Sequence, residues 1–570
     1  MAMKGGWKRQ LLVLCYLYSL TVGSSEHEQF NEQLTIRPLR DGRVSTTFAF
    51  TALLKGASPR DPQTLDSDDE SQHYTLFPLS LGQILREYAV TELHLTLNAG
   101  RWNYDGWGYP DESGVGAGAE LWAWMGTDSE SSADVRWKGL RNALAGLFCA
   151  SLGSLDDQRT TSPTLSFQPH GFLPAFTTHN HTFHALRHAS LPSENVCTEN
   201  LTPFLKLLPC KSYSGLSSLL NPHRVFDADW HGMSVHVLWI PDRGVQVRLA
   251  FQAVFDPLRL SQSNLRNWSL QSLFAETISQ RCPVAHTSEM RVGLPVDAIY
   301  SIQPEPHQVE DGVAKYDLRK AQFPLDVAMY WPHDFQHPSI DDLRRTSPVP
   351  ISVDRTLKGT SQASGHLSLF ITNRLADTDL KIVYLETMPW HLQLYLHTMR
   401  AEVLSMQSGG KRDDDHEVVS LLNYIPSIPH SRPTTLQALL RVPANSTLSV
   451  KMDVTKSFLR YTEYPPDAQR GWDLPPAVFT VLDYEDNQRA NHLQRQDLVE
   501  SRKGWKLYTR PLLVDLATPD FSMPYNVIIF TCSIIAFLFG TIFNMLTRKF
   551  VLVKLGNEGE EGEDRKEKKD

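Results

Sequence analysis

Apolar and polar residues alternate with a period of two over many short stretches of this chain, the pattern of strands with one face buried. Leu34–Leu39 and Val44–Phe50 read as two strands around a turn at Asp41-Gly42. Leu79–Tyr88 has helical spacing, and ELHLTL within Thr91–Leu97 alternates like a half-buried strand. An aromatic, glycine-rich loop follows at Arg101–Tyr109, then the strand-like ELWAWM of Glu120–Met125. Aromatic residues at that density suit stacking in a β core better than a sugar site. Ser132–Leu152 is the clearest helix, with Trp137, Leu140, Leu144 and Leu147 on one face and Cys149 near its end.

Beyond about residue 225 short alternating runs recur between turn residues: Val235–Ile240, Val245–Val254, Met290–Leu294, His366–Ile371, Lys381–Glu386, Leu392–His397, Leu436–Val442 and Thr447–Val454. Such spacing predicts antiparallel sandwiches. Gln407–Glu417 and Gln488–Gly504 read as exposed loops, and no repeat period is present.

Val527–Leu546 follows neither period: it is uncharged and apolar on every side. A helix of that length rises roughly 30 Å, the thickness of a bilayer's hydrocarbon. Arg548, Lys549 and Lys554 follow it, which places that end in the cytosol. At the other terminus Lys4, Lys8 and Arg9 precede an apolar run, Leu11–Val22, and then Gly23, Ser24 and Ser25, the outline of a secretory signal peptide. The expected organisation is that of a type I membrane protein, mainly β with an α/β N-terminal part. It comprises a signal peptide (1–24), a lumenal α/β part (25–225), a lumenal β-sandwich part (226–523), a transmembrane helix (524–547) and a cytosolic tail (548–570).

With 41% hydrophobic and 21% charged residues the chain has material for large cores. A net charge of −9 without a basic stripe argues against nucleic acid as a partner. Of six cysteines, Cys15 lies in the signal peptide and Cys532 in the span. Cys149, Cys197, Cys210 and Cys282 remain in an oxidising compartment, as two bridges or as one bridge with cysteines used elsewhere. Glycosylation triplets begin at Asn180, Asn200, Asn267 and Asn445.

His179, His181, His184 and His188 form the most metal-like spacing, with His184 and His188 set to share a helix face. No carboxylate or cysteine completes a ligand set, so a solvated loop is expected there and no metal or other cofactor. Motifs for a nucleophile elbow, a zinc protease, a P-loop or a dinucleotide fold are missing. Cys197, in VCTEN, has no glycine-rich neighbour to form an oxyanion hole. A non-catalytic binding or bracing role is therefore expected; the alternative is a lumenal carbohydrate-binding or cargo receptor. The C-terminal KEKKD places lysines as in the K-x-K-x-x signal that retrieves membrane proteins to the endoplasmic reticulum.

Several long blocks carry a family resemblance: ELHLTL (92–97), GAELWAWM (118–125), GLFCASL (146–152), VCTENLTPFLKLLPC (196–210), YTEYPPDAQRGW (461–472), YTRPLLVDLATPDFSMPYNVI (508–528) and FNMLTR (543–548). Together they resemble the PIG-T family, a subunit of the GPI transamidase of the endoplasmic reticulum. The resemblance implies an accessory subunit beside a caspase-like catalytic subunit, PIG-K, which carries the nucleophilic cysteine. It implies that Cys197 forms an interchain disulfide to PIG-K, against the alternative of an internal Cys197–Cys210 loop. It also implies GPI head-group contacts at Asp520, Ser522 and Asn526, where a carboxylate, a hydroxyl and an amide suit glycan hydroxyls and an ethanolamine ammonium. A fourth contact is an asparagine in the family and Gln469 here. The same stretch also suits a helix entry, with Pro524 in the first turn and Tyr525 at the interface.

Overall fold

The computed structural model describes residues 27–68, 73–176, 183–260, 266–295, 299–332, 347, 349–359, 361–412 apart from 406–410, 418–460, 463, 471–484, 504–517 and 522–553. The signal peptide, Asn180, Gln469, Asp520 and the KEKKD tail lie outside these residues. The chain divides into a large unit, residues 1–459 and 470–516, and a small one, residues 460–469 and 517–570.

The large unit begins with the predicted hairpin. β1 (Glu28–Pro38) and β2 (Val44–Leu54) pair antiparallel from Glu28↔Leu54 to Pro38↔Val44. Gly42 sits at φ 78°, in the left-handed region that this turn requires and that glycine enters freely. Along β1 the inward positions are Glu28, Phe30, Glu32, Leu34 and Ile36, so the period of two holds with two carboxylates among the apolar residues.

This hairpin belongs to an 11-stranded sheet. Its other strands are β3 (Val90–Ala99), β4 (Gly118–Thr127), β5 (Thr160–Thr161), β6 (Phe183–Leu191), β7 (Trp230–Ile240), β8 (Gly244–Phe255), β9 (Thr287–Gly293), β10 (Gln308–Glu310) and β11 (Val313–Asp317). The order is β10-β11-β9-β1-β2-β8-β7-β3-β4-β6-β5, antiparallel except where β1 runs parallel to β9. The expected boundary at 225/226 thus falls inside one sheet. β7 and β8 return to fill the gap between β2 and β3, a non-local pairing that no local period reports.

Three helices bury their apolar faces in the core of this sheet: α1 (Leu79–Glu87), α2 (Glu130–Phe148) and α3 (Thr198–Leu207). Ser129 caps α2 by accepting from Ser132 N, and Trp137, Leu140, Leu144 and Phe148 are its large buried apolar residues. Cys149 ends it in the left-handed conformation. Cys210 and Cys282 form a disulfide buried in the same core, so the alternative Cys197–Cys210 loop is excluded.

The sandwich begins at residue 351. One sheet has the order β12-β13-β19-β15-β16 and the other β17-β18-β14-β20-β21. These strands are β12 (Ile351–Lys358), β13 (Ser364–Asn373), β14 (Leu380–Met388), β15 (Leu392–Ser405), β16 (Lys411–Arg412), β17 (Val419–Ile425), β18 (Thr434–Val442), β19 (Ser446–Lys456), β20 (Val478–Tyr484) and β21 (Lys506–Tyr508). Leu367, Leu369 and Ile371 of one sheet and Ile382, Tyr384 and Leu440 of the other are buried. Between the sheets Arg355 pairs with Glu386, both side chains fully buried, and also donates to Pro475 O. The mainly β class holds.

In the small unit, α4 (Ser522–Thr547) carries the apolar segment; Tyr525–Thr547 has mean hydropathy 2.2 and could cross a membrane. Thr531, Ser533, Thr541 and Thr547 each donate to the carbonyl four residues earlier, which settles their hydroxyls without a partner helix.

Candidate functional site: an exposed cysteine at a helix start and a buried polar seam

Cys197 stands at the N-cap of α3, exposed and unpaired. Its neighbours are fixed by one buried side chain. Asn200 Oδ1 accepts from Cys197 N at 2.6 Å, and Asn200 Nδ2 donates to Phe148 O at 2.8 Å and Cys149 O at 3.1 Å. The start of α3 and the end of α2 therefore share a single amide. Cys149, also exposed, is the second unpaired cysteine among the described residues of the large unit.

This use of Asn200 corrects one expectation. At 1% exposure, with its nitrogen committed to two carbonyls, Asn200 has no room for a glycan in the folded chain. Asn267 is half-buried, with its Oδ1 accepting from Trp331 N at 2.8 Å; Asn445 is half-buried at a turn with φ 47°.

The histidine spacing is also reinterpreted. His179 and His181 lie outside the described residues, and His184 and His188 fall on strand β6, not on a helix, because β6 pairs along its whole length with β4. Each ring is committed elsewhere. His184 meets Thr91 Oγ1 and Pro174 O, both at 3.1 Å, and His188 Nε2 meets Glu120 Oε1 at 3.1 Å. The aromatic loop is core, as expected: Trp102, Trp107 and Tyr109 are buried, and Trp107 Nε1 donates to Asp41 Oδ2 at 2.9 Å.

A cluster that periodicity does not reveal lies where β21 of the sandwich meets the large sheet. Glu92 and His94, with Thr96, are the polar positions of ELHLTL, and they are buried, not solvated. Glu92 accepts from His170 N at 2.8 Å and Gly171 N at 2.9 Å. His94 Nε2 lies 2.9 Å from Glu92 Oε1, and His94 Nδ1 lies 2.8 Å from His236 Nδ1. Lys506 Nζ sits 3.1 Å from His170 Nε2 and over the rings of Trp122 and Phe167. Two residues on, Tyr508 donates to Glu120 Oε2 at 2.7 Å.

Burial pushes the Lys506 ammonium down to about 8, with Glu120 and Glu92 acting in the other direction. Burial also holds His94 and His236 well below the usual imidazole range and raises Glu92. The histidines are neutral at pH 7, and Lys506 supplies the positive charge between two carboxylates. Donor atoms of Glu92, His94 and His170 lie within 4.8 Å of one another, a possible metal ligand set, but the Lys506 amine already occupies that neighbourhood. The arrangement pins β21 to the large sheet. The available signal was chemical: glutamate and histidine on the polar face of a strand, where a solvated strand would carry lysines.

Of the membrane-junction residues, Ser522 opens α4 and Asn526, four positions on, is exposed; Asp520 and Gln469 lie outside the described residues.

The model of the Gpi16 family, "Gpi16 subunit, GPI transamidase component", matches residues 12–264 and 250–569. The chain belongs to the Gpi16 family. The "GPI-anchor transamidase component PIGT" of Homo sapiens is 34% identical over 560 residues, covering 92% of this chain and 91% of its own length. The "GPI transamidase component PIG-T homolog" of Schizosaccharomyces pombe is 34% identical, covering 94% of this chain and 92% of its own. The "GPI transamidase component GPI16" of Saccharomyces cerevisiae is 31% identical, with 92% and 89% covered. Membership in the Gpi16 family makes the chain a GPI transamidase component, and the match runs through both the β body and the apolar helix.

Proposed function

We propose that this chain is a non-catalytic subunit of the GPI transamidase, held in the endoplasmic reticulum membrane by α4 with its β body in the lumen. Cys197 ties it by a disulfide to the caspase-like subunit PIG-K, whose cysteine attacks the proprotein. Asp520, Ser522 and Asn526, with Gln469, contact the GPI head group at the outer mouth of the span. Family membership over nearly the whole chain carries this reading. Cys197 supports it because its thiol is exposed at a helix start while Cys210 and Cys282 are paired in the core.

The chemistry at the junction is recognition. A carboxylate attracts the ethanolamine ammonium, and the hydroxyl and amides exchange hydrogen bonds with glycan hydroxyls. Purification in mild detergent, with thiols blocked at lysis, tests the tether on a non-reducing gel. A band near the sum of two chains is expected, and Cys197→Ser should abolish it. A wild-type chain that runs alone, with no covalent partner, overturns the tether.

A further inference from the structure

Four cysteines lie among the described residues of the large unit, and the structure divides them into two pairs of different character. Cys210 and Cys282 are bonded and buried. Cys149 and Cys197 are unpaired and exposed, at the end of α2 and the start of α3. Two links join the segments that carry them. Asn200 takes Cys197 N on one side of its amide and Phe148 O and Cys149 O on the other. Ser151 N also donates to Glu194 Oε1 at 2.8 Å. The backbones on either side of this pair of thiols are therefore held together without a bond between the sulfurs.

We propose that Cys149 is the resolving thiol of the Cys197 tether; this rests on the reading that Cys197 is bonded to another subunit. In the exchange, the Cys149 thiolate attacks Cys197 Sγ in line with the interchain bond. The Cys149–Cys197 bond forms, the interchain bond breaks, and its electron pair leaves on the partner's sulfur as thiolate, which takes a proton from solvent. One disulfide replaces another, so no oxidant or reductant is consumed. Cys149 occupies the left-handed position just past the last turn of α2. A disulfide needs Cα atoms within about 7 Å, so the exchange requires the two helix ends to shift to that distance, starting from backbones that already bond the two sides of the one Asn200 amide. Cys210 and Cys282 are removed from the exchange by burial, and Cys532 by its place in the apolar helix.

The test uses the complex purified in mild detergent without reductant. It is held at pH 8 without alkylating agent, sampled over hours, quenched in acid, alkylated and mapped by mass spectrometry. In the wild type the interchain band declines as a peptide linking Cys149 to Cys197 accumulates. In Cys149→Ser that peptide is missing and the band declines slower by about tenfold or more. Cys149→Ala serves as a second variant; the site is exposed, so both variants keep the fold and their melting temperature checks this. Equal decline in wild type and variants, without the linked peptide, overturns the exchange while leaving the tether standing. A complex with no interchain species in either wild type or Cys149→Ser overturns both.

Discussion

The Asn200 side chain satisfies three backbone groups at the junction of two helices, and alanine there takes this partner from the buried Phe148 carbonyl and from the part-buried Cys149 carbonyl and Cys197 N–H. Asn200→Ala is expected to cost about 2–4 kcal/mol in denaturant unfolding of the lumenal body, since each orphaned buried group costs about 1–3 kcal/mol less what water recovers. The same substitution should leave the glycosidase-sensitive gel shift unchanged. Glu32 gives a pH test. It is buried beside Ser288, and burial raises its carboxyl to about 7, so the fold holds a proton that the unfolded chain releases near the ordinary 4.5. Stability from this group is full below pH 4.5 and falls as pH rises through 7, by about 3 kcal/mol in total. Glu32→Gln should flatten that part of the stability–pH curve; an unchanged slope would show that Glu32 does not carry it.

At the scale of elements, the Cys210–Cys282 bond closes a loop with a sequence separation of 72. Chain-entropy reasoning gives it about 4 kcal/mol, so Cys210→Ser with Cys282→Ser should lower the melting temperature while leaving the Cys197 tether band in place. The polar seam makes a different prediction. Lys506→Met leaves Glu92 and Glu120 without their buried cation, which should cost about 3 kcal/mol and loosen β21, seen as faster amide exchange over residues 504–516. Hairpin, helix and span were legible because each is written in local spacing: Asp41-Gly42 for the turn, Trp137 to Leu144 for α2, uncharged Val527–Leu546 for α4. The course of the large sheet was not. β7 and β8 join β2 and β3 across more than a hundred residues, and the period of two is the same wherever a strand docks. His184 and His188 illustrate the same limit, since a spacing of four suits one face of a helix and one face of a strand equally.

The candidate sites differ in how far sequence reached them. Cys197 is legible from its block, and the structure adds its exposure and its link through Asn200 to Cys149. The Glu92–His94–Lys506 seam was missed because its members come from positions 92, 94, 170, 236 and 506, and only folding brings them together.

At the scale of the whole molecule, the chain is a large β body followed by one membrane-length apolar helix, and the proposed function requires that body to lie in the lumen. Protease added to sealed microsomes tests this most directly. The account predicts that nearly all of the chain survives, shortened only by its C-terminal tail, and is digested once detergent opens the vesicles. Digestion of the β body in sealed vesicles would contradict the account, because Cys197 and the head-group residues would then face the wrong compartment.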